Sequence, residues 1–202
     1  MHEFVYLASQ SPRRVQLLAQ LGVEHRALLP HRRENAERLE QERQGELPSD
    51  YVRRVALAKL LAARTRRAQR GLPDAPILAA DTTVALGRRI LGKPADAADA
   101  AATLRALSGR THRVLTAVAV SHGPQSLLAV STSKVRFAAL SEQTIAQYIA
   151  SGEPFGKAGA YAIQGPISAW IEQVEGSYTG IMGLPLFETR ELLARARVRI
   201  GF

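Results

Sequence analysis

The sequence contains no cysteine, which removes disulfides, thiolate metal sites and a cysteine nucleophile from consideration. It also lacks any apolar run approaching the ~20 residues of a membrane span, so no membrane association is expected. Met1-His2-Glu3-Phe4 passes straight into a strand-like run, without the basic and then apolar order of a secretory signal. A cytoplasmic location is therefore the expectation. Neither G-x-G-x-x-G nor G-x-x-x-x-G-K-[ST] occurs, which leaves a Rossmann or P-loop nucleotide site unsupported. The five histidines are scattered without ligand spacing. Aromatic residues make up only 5% of the chain, so nucleic acid is disfavoured as a partner even though the charge would suit it. No internal repeat or low-complexity tract is visible.

What is present is a 202-residue chain, 46% hydrophobic and 22% charged, with a net charge of +9. That composition can bury a core and suggests one domain or two small lobes. The positive balance favours anionic partners. The densest basic run, Arg64, Arg66, Arg67 and Arg70, falls at the end of a predicted helix and reads as a solvated face. Only four of the 27 basic residues are lysine: Lys59, Lys93, Lys134 and Lys157. A chain that defaults to arginine keeps lysine where a compact ammonium is wanted.

The most informative stretch is Ile77-Leu78-Ala79-Ala80-Asp81-Thr82-Thr83-Val84-Ala85-Leu86. It reads as a buried strand with one carboxylate in its middle. Desolvating a lone carboxylate costs several kcal/mol, so a cation is expected opposite Asp81. Earlier, a strand at Phe4–Ala8 runs into Ser9-Gln10-Ser11-Pro12-Arg13-Arg14 and a helix with an apolar row at Val15, Leu18 and Leu21. Ser11 would cap that helix and Pro12 occupy its first turn. A helix N-terminus with hydroxyls and two guanidinium forks can hold a phosphate.

Residues 30–48 read as a charged loop whose glutamates, Glu34, Glu37, Glu40, Glu42 and Glu46, look solvated. Ser49 would cap a helix reaching about Arg70, with Lys59 in the inward row of Val52, Val55 and Ala56. Lys93, between Gly92 and Pro94, must project from a loop. An alanine-rich helix to Leu107, strands at 111–120 and 126–137 joined by a hairpin, and a helix capped by Ser141 follow. Gly156–Gly165 is rich in small residues and carries Lys157 and Gln164. A strand at 167–174, a Gly183-Leu184-Pro185 corner and a last helix complete the chain. Alternating helices and strands with central hairpins predict an α/β fold built on a mixed, twisted sheet.

The unusual polar residues together suit one chemistry. Cations at Arg13, Arg14, Lys59, Lys93 and Lys157 fit a polyphosphate, and the carboxylates Asp81 and Glu34 fit Mg²⁺ or Mn²⁺. Spacing alone leads to a metal-dependent enzyme or a sensor acting on phosphorylated ligands.

At this point the motifs resemble a known family. Ala8–Arg14, Ala80-Asp81-Thr82, Gly92-Lys93-Pro94, Leu107-Ser108-Gly109, Lys157–Gly165 and Gly183-Leu184-Pro185, in this order, are similar to those of the Maf nucleoside triphosphate pyrophosphatases, once described as septum formation inhibitors. The resemblance implies a single domain over residues 1–202, with two lobes around a central cleft that holds a nucleoside triphosphate. It implies hydrolysis between the α- and β-phosphates with a divalent cation, Mg²⁺, Mn²⁺ or Co²⁺, and commonly a homodimer. Asp81 matches the family's general base and metal neighbour, and Glu34 its metal-site glutamate. Ser9, Arg13, Arg14, Lys59, Lys93 and Lys157 match phosphate-binding positions. Arg13, Thr82 and Gln164 match the type acting on dTTP and UTP, with modified pyrimidine nucleotides as further expected substrates, and a carboxamide at Gln164 can pair with the O4/N3–H edge of either base. Three positions depart from the pattern: Arg33 stands before Glu34, Ala58 before Lys59 and Gly156 before Lys157, each where an acidic residue is common. The alternative is a non-catalytic nucleotide- or nucleic-acid-binding regulator of cell division, suggested by the +9 charge and the family's older name.

Overall fold

The computed structural model describes residues 1–31, 34 and 36–201, without the side chains at 36 and 37. Arg33 and the Glu37 side chain, both singled out in the sequence, lie outside the described residues. The elements are β1 (Val5–Leu7), α1 (Pro12–Gln20), β2 (His25–Ala27), α2 (Pro48–Gln69), β3 (Ile77–Leu86), β4 (Arg89–Leu91) and α3 (Ala97–Leu107). They continue with β5 (Thr111–His122), β6 (Gln125–Phe137), α4 (Glu142–Ala150), β7 (Ile171–Glu175), α5 (Tyr178–Met182) and α6 (Leu186–Arg195). One seven-stranded sheet runs in the order β2-β1-β3-β5-β6-β7, with β4 also paired to β3. Strands β2, β1 and β3 are parallel, and the remaining pairs are antiparallel. The fold is the mixed α/β arrangement that the pattern predicts.

Two apolar layers cover opposite faces of the sheet at the β1 end. On one face Leu78, Ala80, Val118 and Val120 pack under α1 and α6, through Leu17, Leu18, Leu192 and Leu193. On the other, Ile77, Ala79, Ala117 and Ala119 pack against Val52, Val55, Ala56 and Leu60 of α2. Strand side chains alternate between faces, so one run of apolar residues serves both layers. A third cluster, with Val84, Val114, Val135 and Phe137, lies at the far end under α3 and α4.

Several local expectations change. Val15 is 40% exposed, and Leu17 takes its place beside Leu18 in the core. Leu47, rather than Ser49, precedes the first turn of α2, because Pro48 already fits the first helical position. Residues 36–40 form a 3₁₀ turn within the charged loop. Pro166–Trp170 is also 3₁₀, opened by its proline, so the strand starts only at Ile171. The arginine run at the end of α2 is not a solvated face. Arg66 is buried, Arg64 donates to the hairpin carbonyls of Gly123 and Pro124, Arg67 to Ala75 O and Arg70 to Leu29 O. These guanidinium groups fasten loops to the helix.

Beneath the third cluster, His112 has its Nε2 2.8 Å from the Tyr161 hydroxyl and stacks on Phe137, while Nδ1 is buried without a hydrogen-bond partner. Burial pushes its pKa from 6.5 down to about 4. Between those values the unfolded chain takes up a proton that the folded protein refuses, so stability falls as pH drops through this window and is full above it. At about pH 5 the loss should be about 2 kcal/mol relative to neutral pH. Urea denaturation of the parent and of His112→Gln at both pH values tests this. A substituted protein that keeps the full loss would show that another group is responsible.

Candidate active site

Strand β3 is paired with β5 from Leu78 to Ala85. On its other side β1 reaches only Leu78, and β4 begins only at Val84. The intervening segment is therefore an open strand edge inside the sheet. Asp81 and Thr82 sit there, pointing to opposite faces by strand alternation. Around this gap lies a cleft of about 680 Å³.

Asp81 is 5% exposed and faces the α2 side. Its Oδ1 accepts from Lys59 Nζ at 2.7 Å. Lys59 is carried there by the inward row of α2, and it also pairs with Glu40 Oε1 at 2.7 Å. The other oxygen of Glu40 meets Lys93 Nζ at 2.6 Å. The result is a chain of alternating charge, Asp81–Lys59–Glu40–Lys93. Burial alone would raise the Glu40 pKa, but Lys59 and Lys93 outweigh it and hold the carboxyl below its ordinary value.

Across the gap, Arg14 donates from Nη1 to Ser9 Oγ (3.1 Å), from Nη2 to Thr82 Oγ1 (3.2 Å) and from Nε to Gly183 O (2.8 Å). Burial lowers the Arg14 pKa, and the nearby Asp81 carboxylate works against that shift. Gly183 has φ 117°, and a side chain there would come against Arg14 and Thr82. Ser9 Oγ also accepts from the Ser11 amide at 3.2 Å. Ser11 makes no side-chain cap, and the first turn of α1 contains no acidic residue. The positive end of this helix is thus unneutralised from within.

The far wall is the 156–165 segment. Lys157 Nζ donates to Glu153 O. Burial, followed by the neighbouring Arg13 charge, pushes Lys157 below its ordinary value, with Glu153 partly offsetting them. Burial likewise lowers Arg13, against Glu153 and Tyr148. Gly159, at φ 70°, lets this segment close onto Val84, where a Cβ would meet the valine at under 3 Å. Gln164 is exposed on the same wall.

The cleft thus brings together Ser9, Arg13, Arg14, Lys59, Asp81, Thr82, Lys93, Lys157 and Gln164. Glu34 is not among its lining residues. Arg66 grips it from Nε (3.0 Å to Oε1) and Nη2 (2.5 Å to Oε2), and the His31 amide adds a further bond. These bonds hold the Glu34 pKa down at about 2. Sequence reasoning missed Glu40, which nothing in one sequence separates from Glu37 or Glu42. It also missed Glu153, and Thr116 behind Thr82.

The donor set fits a hard divalent ion. Asp81 Oδ2 is buried and makes no hydrogen bond, while Oδ1 is fixed by Lys59. Among the described residues no group of three or more His, Asp or Glu converges. The fit is therefore to an ion held by one or two carboxylates, with substrate oxygens and water completing its shell.

The family described as Maf-like protein matches residues 4–196. A dTTP/UTP pyrophosphatase of Cupriavidus pinatubonensis is 58% identical over 199 residues, covering 98% of this chain and 100% of the relative. A dTTP/UTP pyrophosphatase of Ralstonia nicotianae is 59% identical over 200 residues, 98% of this chain and 97% of the relative. One from Burkholderia pseudomallei is 58% identical over 199 residues, 98% and 95% of the two chains.

Replacing Lys59 by Met strips Asp81 and Glu40 of their shared cation. A loss of about 2 kcal/mol at neutral pH is expected, below that for a fully buried pair because Lys59 is partly exposed. Adding Asp81→Asn should restore part of it. Strictly additive losses in urea denaturation would contradict the pairing.

Proposed function

The chain belongs to the Maf family, and from that premise we propose that it is a nucleoside triphosphate pyrophosphatase acting on dTTP and UTP. One observation carries the reading: a buried carboxylate with a free oxygen stands at an open strand edge, faced by cations from separate segments of the chain. The pyrimidine preference rests on the relatives' names and on Arg13, Thr82 and Gln164.

In this reading water attacks the α-phosphorus and the bond from that phosphorus to the bridging oxygen of the β-phosphate breaks. Water and nucleoside triphosphate give nucleoside monophosphate and pyrophosphate. Asp81 accepts the water's proton through Oδ2, since Oδ1 is already committed to Lys59. Lys59, Lys93, Lys157, Arg13 and Arg14, with Ser9 and the α1 N-terminus, would bind the phosphates and offset the charge developing on pyrophosphate. Glu40 occupies Lys59 and Lys93 in the free protein, so an entering triphosphate takes its place. A bound Mg²⁺, Mn²⁺ or Co²⁺ would polarise the phosphoryl oxygens. That ion would lie beside Asp81, whose charge would help hold it while Oδ2 stays open to the water's proton. Glu34 could join it only by leaving Arg66, whereas Glu40 already shares Lys59 with Asp81. Gln164 would read the base through its amide. The same reading takes the chain as one domain with two lobes, since β3, β5 and β6 run through the whole sheet, and as a cytoplasmic homodimer. Among the described residues no helix is long and apolar enough to cross a membrane.

The protein should release pyrophosphate and monophosphate in equal amounts from dTTP and UTP. Asp81→Asn should lower turnover by about 10²–10⁴-fold, the usual range for a general base. A chelator should abolish turnover, and added divalent cation should restore it. Release of orthophosphate and diphosphate instead would sink the assignment.

A further inference from the structure

Behind Thr82, in the gap between the first and third apolar clusters, three hydroxyl-bearing strands meet. Thr82 on β3 lies directly across from Thr116 on β5, which lies across from Ser131 on β6. Thr116 is 1% exposed. Its Oγ1 is 2.7 Å from the carbonyl oxygen of Gly180 in α5 and 2.9 Å from Thr82 Oγ1.

The protons in this chain can be assigned. A carbonyl oxygen only accepts, so the single Thr116 proton goes to Gly180. At the contact between the two threonines, Thr82 must then be the donor. Thr82 also accepts from Arg14 Nη2, and a guanidinium only donates. Its proton and one lone pair are therefore used, which leaves one lone pair for the cleft that Thr82 lines. Toward a ligand, Thr82 is an acceptor only.

A phosphate oxygen is a poor neighbour for such a group, so Thr82 belongs with the nucleoside. Gln164 alone cannot tell uracil from cytosine. Its carboxamide matches O4 and N3–H in one orientation, and N4–H and the bare N3 after a half turn. A group of fixed polarity is needed to break that symmetry.

We propose that Thr116 is a specificity-determining positioning residue: by taking the Thr82 proton it leaves Thr82 an acceptor that selects a base with an imide N–H, as in uracil and thymine, over cytosine. The N–H bonds to Thr82, and Gln164 donates to the adjacent carbonyl. With cytosine, the N3 lone pair faces the Thr82 lone pair. The proposal rests on the pyrimidine nucleotide reading above.

The test measures UTP and CTP dissociation constants by calorimetry on the Asp81→Asn background, where no turnover is required. Thr116→Val frees the Thr82 proton to turn into the cleft and donate to cytosine N3. The preference for UTP should fall by about 3- to 10-fold, the worth of one neutral hydrogen bond, chiefly through tighter CTP binding. Thr116→Ser should keep the preference. Thr116→Ala, which removes the same hydroxyl with less bulk, gives the same readout where the valine variant does not fold. A purely structural defect would weaken both nucleotides alike, and that result overturns the proposal. So does a preference unchanged by loss of the hydroxyl, or equal binding of the two nucleotides before substitution. If the UTP preference behaves as expected but the wild-type protein releases no pyrophosphate, the pyrophosphatase reading alone fails.

Discussion

The interaction on which the site depends is the pair between Asp81 and Lys59. A carboxylate in the middle of an apolar strand is tolerable only with a cation beside it. That cation is held by α2, whose other inward residues form the apolar layer on the same face of the sheet. Anchoring the ammonium in this way fixes which carboxylate oxygen is occupied and which is left over. It also brings in Glu40, and through Glu40 the Lys93 loop. Packing of a long helix on a sheet thus sets the charge pattern of the cleft.

Much of this was legible in the residues. The run 77–86 reads as one strand because Asp81 is its only charge and the two threonines after it are β-branched, and its bounds are those observed. Lysine scarcity was an accurate pointer: Lys59, Lys93 and Lys157 line the cleft, while Lys134 pairs with Glu175 at the sheet surface. What one sequence does not carry is which of several similar residues is used. Val15 and Leu17 both fit an apolar row, and only packing under α6 selects Leu17. The glutamates of the charged loop differ only in what the fold brings near them, Arg66 for Glu34, Lys59 and Lys93 for Glu40, Arg54 for Glu46. Long-range pairing of that kind leaves no periodic trace.

The arginine run at the end of α2 carries a related lesson. By sequence, four guanidinium groups close together at a helix end read as a solvated face. In the structure they are spent on backbone carbonyls and on Glu34 and Asp74. A net charge of +9 therefore overstates what is offered to an external partner, which weakens the case for a nucleic-acid-binding regulator. The cations of the cleft face a bounded cavity of about 680 Å³ rather than an extended surface.

Asp81 and Thr82 are consecutive residues, and the strand sends them to opposite sides. In the proposed reading, the group that cuts and the group that reads are separated by a single peptide bond. Neither can be shifted along the strand without moving the other, and a slip of one residue would exchange their places. Substrate preference here should therefore be easier to retune from behind, through the buried hydroxyls that support Thr82, than by rebuilding β3 itself.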